Sequence, residues 1–215
     1  LEPKVRKQGY LDGASMAATF NSLRANDLIW YFVINNYLMG KEPPVFDLLY
    51  WNADSTRFPA QLWLNYMRDM YQQNKLSQPG GFTLLGEPVD LGDIKIPTYI
   101  QASKEDHIAP AKSVFKAVNL YGGPVKFMLA GSGHIAGVIN PPTAQKYQHW
   151  TNAKKNTYAE FEDWFADAKQ HPGSWWEHWN KWLSKKSGEK VAARVPGDGK
   201  LKIIEAAPGS YVKVR

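Results

Sequence analysis

The chain has 215 residues, 44% apolar and 21% charged, which is enough for one sizeable core and sets aside the disordered and fibrous classes. It has no cysteine, so neither a disulfide framework nor a thiol nucleophile can come from these residues, and its longest unbroken apolar run, 28–34, falls far short of the roughly 20 residues a membrane-spanning helix needs. The net charge of +6 is a property of the C-terminal end: residues 181–215 hold nine Lys/Arg against three Asp/Glu, and the rest is balanced at 17 of each sign. Two readings of that basic block are open, an attraction for an anionic partner such as a phosphate-bearing substrate, or a solvated tail. No RNA- or DNA-reading motif accompanies it, so no nucleic-acid partner is expected.

Residues 1–13 are polar and mixed and read as a loop. Ser15 suits the N-cap of a short helix ending near Leu23. Asn26 or Asp27 can cap a second helix over 28–38, stopped by Gly40. That helix is apolar on nearly every side, so it is expected either deep in a core or against another large surface. After Pro43-Pro44 an apolar turn containing Phe46 and Trp51 ends in the capping residues Asp54-Ser55-Thr56. Pro59 opens a helix to about Gln73, with Trp63, Tyr66, Met67 and Met70 at helical spacing. Residues 1–77 thus read as a helical, aromatic-rich segment, closed by Gln78-Pro79-Gly80-Gly81, and 82–94 as a small hairpin or ribbon.

The next stretch organises the chain. Residues 97–107 read as a buried strand ending in a polar turn, 111–120 as a helix (Val114, Phe115, Val118), and 124–134 as a second strand ending in a turn. Strand, helix, strand predicts a parallel pair joined by a crossover, hence an α/β class. In such sheets chemistry collects beyond the carboxyl ends of the strands, and Asp106 and His134 fall there. Beyond Pro141-Pro142 the chain turns polar. An amphipathic helix is expected over 158–169 (Phe161, Trp164, Phe165) and a last one from Trp175 to about Lys186, where Ser174 and Glu177 have the spacing of a capping box. Trp175, Trp179 and Trp182 at i, i+4, i+7 predict an aromatic face, packed on the sheet or exposed to a partner surface. Past Gly188 comes a basic tail with one or two weak strands, 201–204 and 211–214. The expected divisions are 1–77, 78–187 and 188–215.

Asp106 and His134 match the last two members of an acyl-transfer triad in the α/β-hydrolase order of nucleophile, acid, histidine. An imidazole of near-neutral pKa serves as base, and a carboxylate fixes its tautomer. Gly131 and Gly133 let the loop turn sharply into the site. The competing reading is a polar strand-end turn and a lone loop histidine. No G-x-S-x-G or G-x-C-x-G occurs, and Ser15 lacks the second glycine of such an elbow. The nucleophile is therefore expected on an earlier strand outside these residues, and the chain, which opens without Met, is expected to be a piece of a longer or split protein. His107 is a candidate at the pocket mouth or an exposed neighbour of Asp106. Nothing has metal-ligand spacing, and no metal is expected.

Six segments resemble the polyhydroxyalkanoate synthases, most of all the class I enzymes: LLYWNADST at 48–56, EDHI at 105–108, GSGHIAGVINPP at 131–142, HWTN at 149–152, GSWW at 173–176 and APGSYVK at 207–213. The resemblance runs from one end of the chain to the other. It implies an α/β-hydrolase fold with an N-terminal helical cap, and a Cys–His–Asp triad with His134 and Asp106 as base and acid. It implies polymerisation of a hydroxyacyl-CoA substrate such as 3-hydroxybutyryl-CoA into polyester, with CoA as leaving group and no separate cofactor. It further implies a cytoplasmic enzyme at the polyester granule surface, forming a homodimer and needing the Cys-bearing half to act. Trp51 and Asp54 would lie in the cap, Asp54 being linked to elongation or simply capping the next turn. Phe46 and Trp51 would line an acyl tunnel, and Ala136 is a candidate specificity position. An esterase or thioesterase of the same fold, or a non-catalytic cap or granule-surface module, are the alternatives.

Overall fold

The computed structural model describes residues 2–23, 25–43, 55–154 and 158–214. Phe46, Trp51 and Asp54 lie outside the described residues. The chain divides into two compact units, Leu1–Thr98 with Lys116–Lys126, and Tyr99–Phe115 with Phe127–Arg215.

The first unit is helical with short ribbons. Its opening is a helix, Glu2–Gln8, where a loop is expected from the sequence. Glu2 in the first turn and Arg6 in the last meet at 2.7 Å, an i,i+4 pair aligned with the helix dipole. The one buried side chain, Val5, anchors a segment whose polar composition hides it. Strand β1 (Tyr10–Leu11) pairs antiparallel with β2 (Phe58–Pro59), and the helix Ala60–Asn65 follows directly, its first N–H donating to Gly9 O. Among the described residues of this unit, Val5, Leu11, Leu64 and Val118 are the buried apolar side chains. The helix Gly13–Leu23 is followed by Asn26–Trp30 and Val33–Leu38, which turn more widely, Met39 N–H reaching back five residues to Ile34 O. Of the two places expected for 28–38, the interior is not the one taken: Trp30 is 53% exposed, Tyr37 83% and Leu38 68%. Strands β3 (Phe82–Leu84) and β4 (Glu87–Val89) form the expected hairpin.

The second unit is built on a sheet in the order β5 (Thr98–Ser103), β6 (Val125–Ala130), β7 (Gln148–Thr151), β8 (Lys169–Pro172). The bonds Thr98 N–H to Pro124 O (2.9 Å) and Lys104 N–H to Ala130 O (2.8 Å) advance together along β5 and β6, as a parallel pair requires. The β6–β7 and β7–β8 pairs are antiparallel. The architecture is thus mixed α/β with a mixed sheet. β8 contains Pro172, which an edge position tolerates because no neighbour needs its missing N–H.

Phe127 to Ala130 are all at most 2% exposed, because β6 is covered on both faces. On one face Phe127 meets Phe115 at 5.0 Å and Trp164 at 4.8 Å, both edge-on, drawing the helices Ala111–Phe115 and Phe161–Ala166 onto the sheet. On the other face Tyr99 of β5 meets Trp175, His178 and Trp182 of the last helical stretch, Trp176–Ser184 with its preceding residue. The aromatic face therefore packs on the sheet, the first of its two expected places. The helix expected over 158–169 is only Phe161–Ala166, because the chain must turn into β8 at Lys169. The expected tail strands are absent among the described residues. Leu201 and Ile204 are 86% and 97% exposed, and Tyr211–Lys213 is a single turn. A short apolar run without a pairing strand or a core does not hold extended structure.

Candidate active site

The carboxylate of Asp106 is fixed by its own turn. β5 ends at Ser103, and Asp106 N–H closes back on Ser103 O at 3.2 Å. Oδ1 then accepts the N–H groups of Ile108 (2.8 Å) and Ala109 (2.9 Å), the side chain capping the turn that leads through Pro110 into the helix Ala111–Phe115. With Oδ1 so occupied, Oδ2 is left for the imidazole of His134, whose Nδ1 is 2.8 Å away. A carboxylate only accepts, so Nδ1 carries the proton. The neutral ring then presents an unprotonated Nε2, the atom a general base needs.

His134 arrives through the turn after β6. Because β5 and β6 are parallel and in register, their trailing loops stay knitted: Glu105 N–H bonds Ser132 O at 3.0 Å, one step beyond the Lys104–Ala130 bond. Gly131 N–H bonds Gln148 O at 2.7 Å, and a Cβ on Gly131 would lie 2.8 Å from that same oxygen. Glycine is thus a steric requirement there. The residues after His134 make one helical turn, with Gly137 N–H on Gly133 O and Ile139 N–H on Ile135 O, both 2.9 Å. A Cβ at Gly137 would overlap the side chain of Ser103, so the turn lies directly on the end of β5.

The Asp106 side chain is 7% exposed and that of His134 45%. Burial pushes the Asp106 carboxyl upward, but the Ala109 N–H, the His134 ring and the Ile108 N–H together outweigh it and hold the group below its ordinary value. The pair is therefore a buried carboxyl held toward its ionised form beside an accessible imidazole.

His107 is exposed one residue beyond Asp106, and Ala136 is half-buried in the turn after His134. Sequence reading missed three participants here. Gly137 carried no signal beyond its glycine. Trp175 and Trp176 donate their indole N–H groups to Gly137 O and Val138 O, each at 2.9 Å, whereas the tryptophan spacing predicted an aromatic face, packed on the sheet or exposed to a partner surface. Among the described residues no group of three or more His, Asp or Glu is placed to hold a metal ion, and no helix is long and apolar enough to cross a membrane.

Fold and site define a mixed α/β protein that presents an imidazole–carboxylate pair at the carboxyl ends of two parallel strands. The whole chain matches poly(3-hydroxyalkanoate) polymerases. It is 53% identical over all 215 residues to the polymerase subunit PhaC of Rhizobium meliloti. It is 49% identical, again over its full length, to the polymerase of Methylorubrum extorquens, and 46% identical over 95% of its length to the PhaC subunit of Cupriavidus necator. The chain spans about a third of the length of each of these relatives. No protein-family model matches it. The resemblance seen in six motifs is thus one of high identity along the entire chain.

Proposed function

We propose that the chain is the acid- and base-bearing part of a polyester synthase of the α/β-hydrolase fold, with its N-terminal helices as the cap subdomain. In this reading Nε2 of His134 takes the proton of a cysteine thiol supplied by sequence beyond these residues. The thiolate attacks the thioester carbonyl of a 3-hydroxyacyl-CoA, the C–S bond to CoA breaks, and the imidazolium returns its proton to the departing CoA thiolate. The 3-hydroxyl of the next acyl-CoA, deprotonated by the same imidazole, then attacks the enzyme-bound thioester. Its C–S bond to the cysteine breaks, the departing thiolate takes the proton back from the imidazolium, and the lengthened chain, now a CoA thioester, returns to the cysteine by the first reaction with release of CoA. Asp106 holds the tautomer and stabilises the imidazolium in each half-reaction.

The observation that carries this reading is the Nδ1–Oδ2 hydrogen bond in a chain whose full length is highly identical to named polymerases. A thiol suits the chemistry, because a thiolate beside an imidazolium is both a good nucleophile and a good leaving group. The exposed apolar side chains of 28–39 support a homodimer through that helix. Action at the surface of a cytoplasmic polyester granule follows from the same reading.

The test joins the chain to the Cys-bearing part and follows CoA release from 3-hydroxybutyryl-CoA. Polymer and free CoA are expected from the joined protein, and neither from Leu1–Arg215 alone. His134→Ala should remove turnover with the fold intact; turnover retained in that variant overturns the base assignment. Release of free hydroxy acid without polymer would instead identify a thioesterase.

A further inference from the structure

We propose that Trp175 and Trp176 are positioning residues for His134, their indole N–H groups holding the helical turn that carries the imidazole. A single helical turn cannot satisfy its own last carbonyls. Here the turn closes with Gly137 N–H on Gly133 O, Val138 N–H on Ile135 O and Ile139 N–H on Ile135 O. Gly137 O and Val138 O lie at its far end; Val138 O accepts Asn140 N–H at 3.2 Å, and each of the two oxygens receives an indole N–H at the shorter distance of 2.9 Å. Consecutive residues thus reach consecutive carbonyls, which fixes the turn in rotation as well as in height.

The donors are themselves anchored. Gly173, in a left-handed conformation (φ 74°), takes the chain out of β8 with its N–H on Tyr147 O at 2.9 Å. Ser174 Oγ accepts the Trp176 N–H at 3.1 Å. Trp175 stacks on Tyr99 with a ring separation of 6.3 Å, and Tyr99 is hydrogen-bonded through its hydroxyl to His178 Nδ1 at 2.7 Å. Tyr99 belongs to β5, the strand that ends in the Asp106 turn. One indole therefore touches both the strand that delivers the acid and the turn that delivers the base. An aromatic side chain needed only for packing would not have to place its one polar atom on that turn, twice over.

The catalytic consequence rests on the proposed role of His134; the clamp itself does not, and the experiment separates the two. Trp175→Phe and Trp176→Phe keep an aromatic ring and remove the donor. Trp179→Phe is the control, since Trp179 packs edge-on against Trp175 at 6.2 Å from further along the helix. In the whole chain, amide hydrogen exchange at Gly137, Val138 and Ile139 is expected to quicken about fivefold or more in each of the first two variants, the factor that loss of a typical net hydrogen bond gives, and by less than about twofold in the control. The proton on His134 Nδ1 should exchange-broaden in parallel. In the joined catalyst, kcat should fall with KM unchanged. Unchanged exchange in both donor variants, or equal acceleration in Trp179→Phe, overturns the proposal and leaves the indoles as packing groups. If one donor variant does not fold, the other decides. Absence of turnover in the unsubstituted joined protein would count against the polymerase reading while leaving the exchange result to judge the clamp.

Discussion

The two oxygens of Asp106 do different work, and that division makes the residue testable. Oδ1 serves the fold by accepting from Ile108 and Ala109; Oδ2 serves the imidazole. In Asp106→Asn the amide oxygen can keep the two backbone bonds, which turns its NH₂ toward His134. Nδ1 must then accept, the proton moves to Nε2, and the ring ceases to be a base. The expected outcome in the joined catalyst is a near-native melting temperature with turnover down about 10⁴-fold, the cost of the corresponding exchange in a serine protease. Asp106→Ala, by contrast, strands two backbone donors and should cost about 1–3 kcal/mol of stability besides. The pH sign follows from the depressed carboxyl: its stabilisation is fully present above the unfolded value of about 3.9 and is lost as pH falls through the lower folded value. Acid unfolding curves of wild type and Asp106→Asn should converge there.

At the scale of elements, the β3–β4 hairpin carries a correctable defect. Its two-residue connection has both φ angles positive, 52° at Leu85 and 90° at Gly86, the turn that matches strand twist and favours Asn-Gly. Leu85 is 98% exposed, so its side chain gives nothing back for a conformation that costs an ordinary residue about 1–2 kcal/mol. Leu85→Asn should raise stability by about 0.5–1 kcal/mol in thermal or denaturant unfolding. A second element-level outcome concerns the face of the sheet under the last helix. His149 is buried, stacked on His171 at 5.1 Å and facing His178 at 6.3 Å, with Nδ1 on Gly173 O and Glu177 nearby. Burial, then the His171 charge, depress its pKa against the opposing pull of Gly173 O and Glu177. The stability it contributes is present above about 6.5 and lost as pH falls through the folded value. The melting temperature should therefore drop between neutral and mildly acidic pH, and less steeply in His149→Gln. These histidines also mark how far the sequence could be read. The β5–helix–β6 unit was legible because local periodicity wrote it, and its two polar strand ends marked Asp106 and His134, whose side chains meet in a hydrogen bond. The partners that complete the sheet were not. β7 and β8 are four residues each, β8 is polar with a proline, and what makes them strands is pairing with residues far along the chain. The indole clamp was hidden likewise: a tryptophan stripe signals an apolar face and says nothing of where its N–H groups point.

Across the molecule, charge is the property no single element owns. Residues 1–180 are balanced in charge, and the excess sits in the second unit's last residues, where Lys190, Arg194, Lys200 and Lys202 are all exposed. Replacing all four by Gln lowers the formal net charge from +6 to +2. Exposed substitutions of this kind change stability by no more than about 0.5 kcal/mol each, so the melting temperature should hold, while elution from a cation exchanger should move to lower salt. Function should register the change through encounter rather than chemistry. A CoA thioester is a polyanion, and a cationic surface raises its local concentration and on-rate at low ionic strength. In the joined catalyst the fourfold variant is therefore expected to show a raised KM with unchanged kcat in dilute buffer. The difference should vanish near 0.5 M salt, where the screening length has shrunk to about 4 Å. A KM that stays equal at low salt would make the basic block a solubility feature, and a kcat that falls would mean the tail reaches the reacting groups themselves.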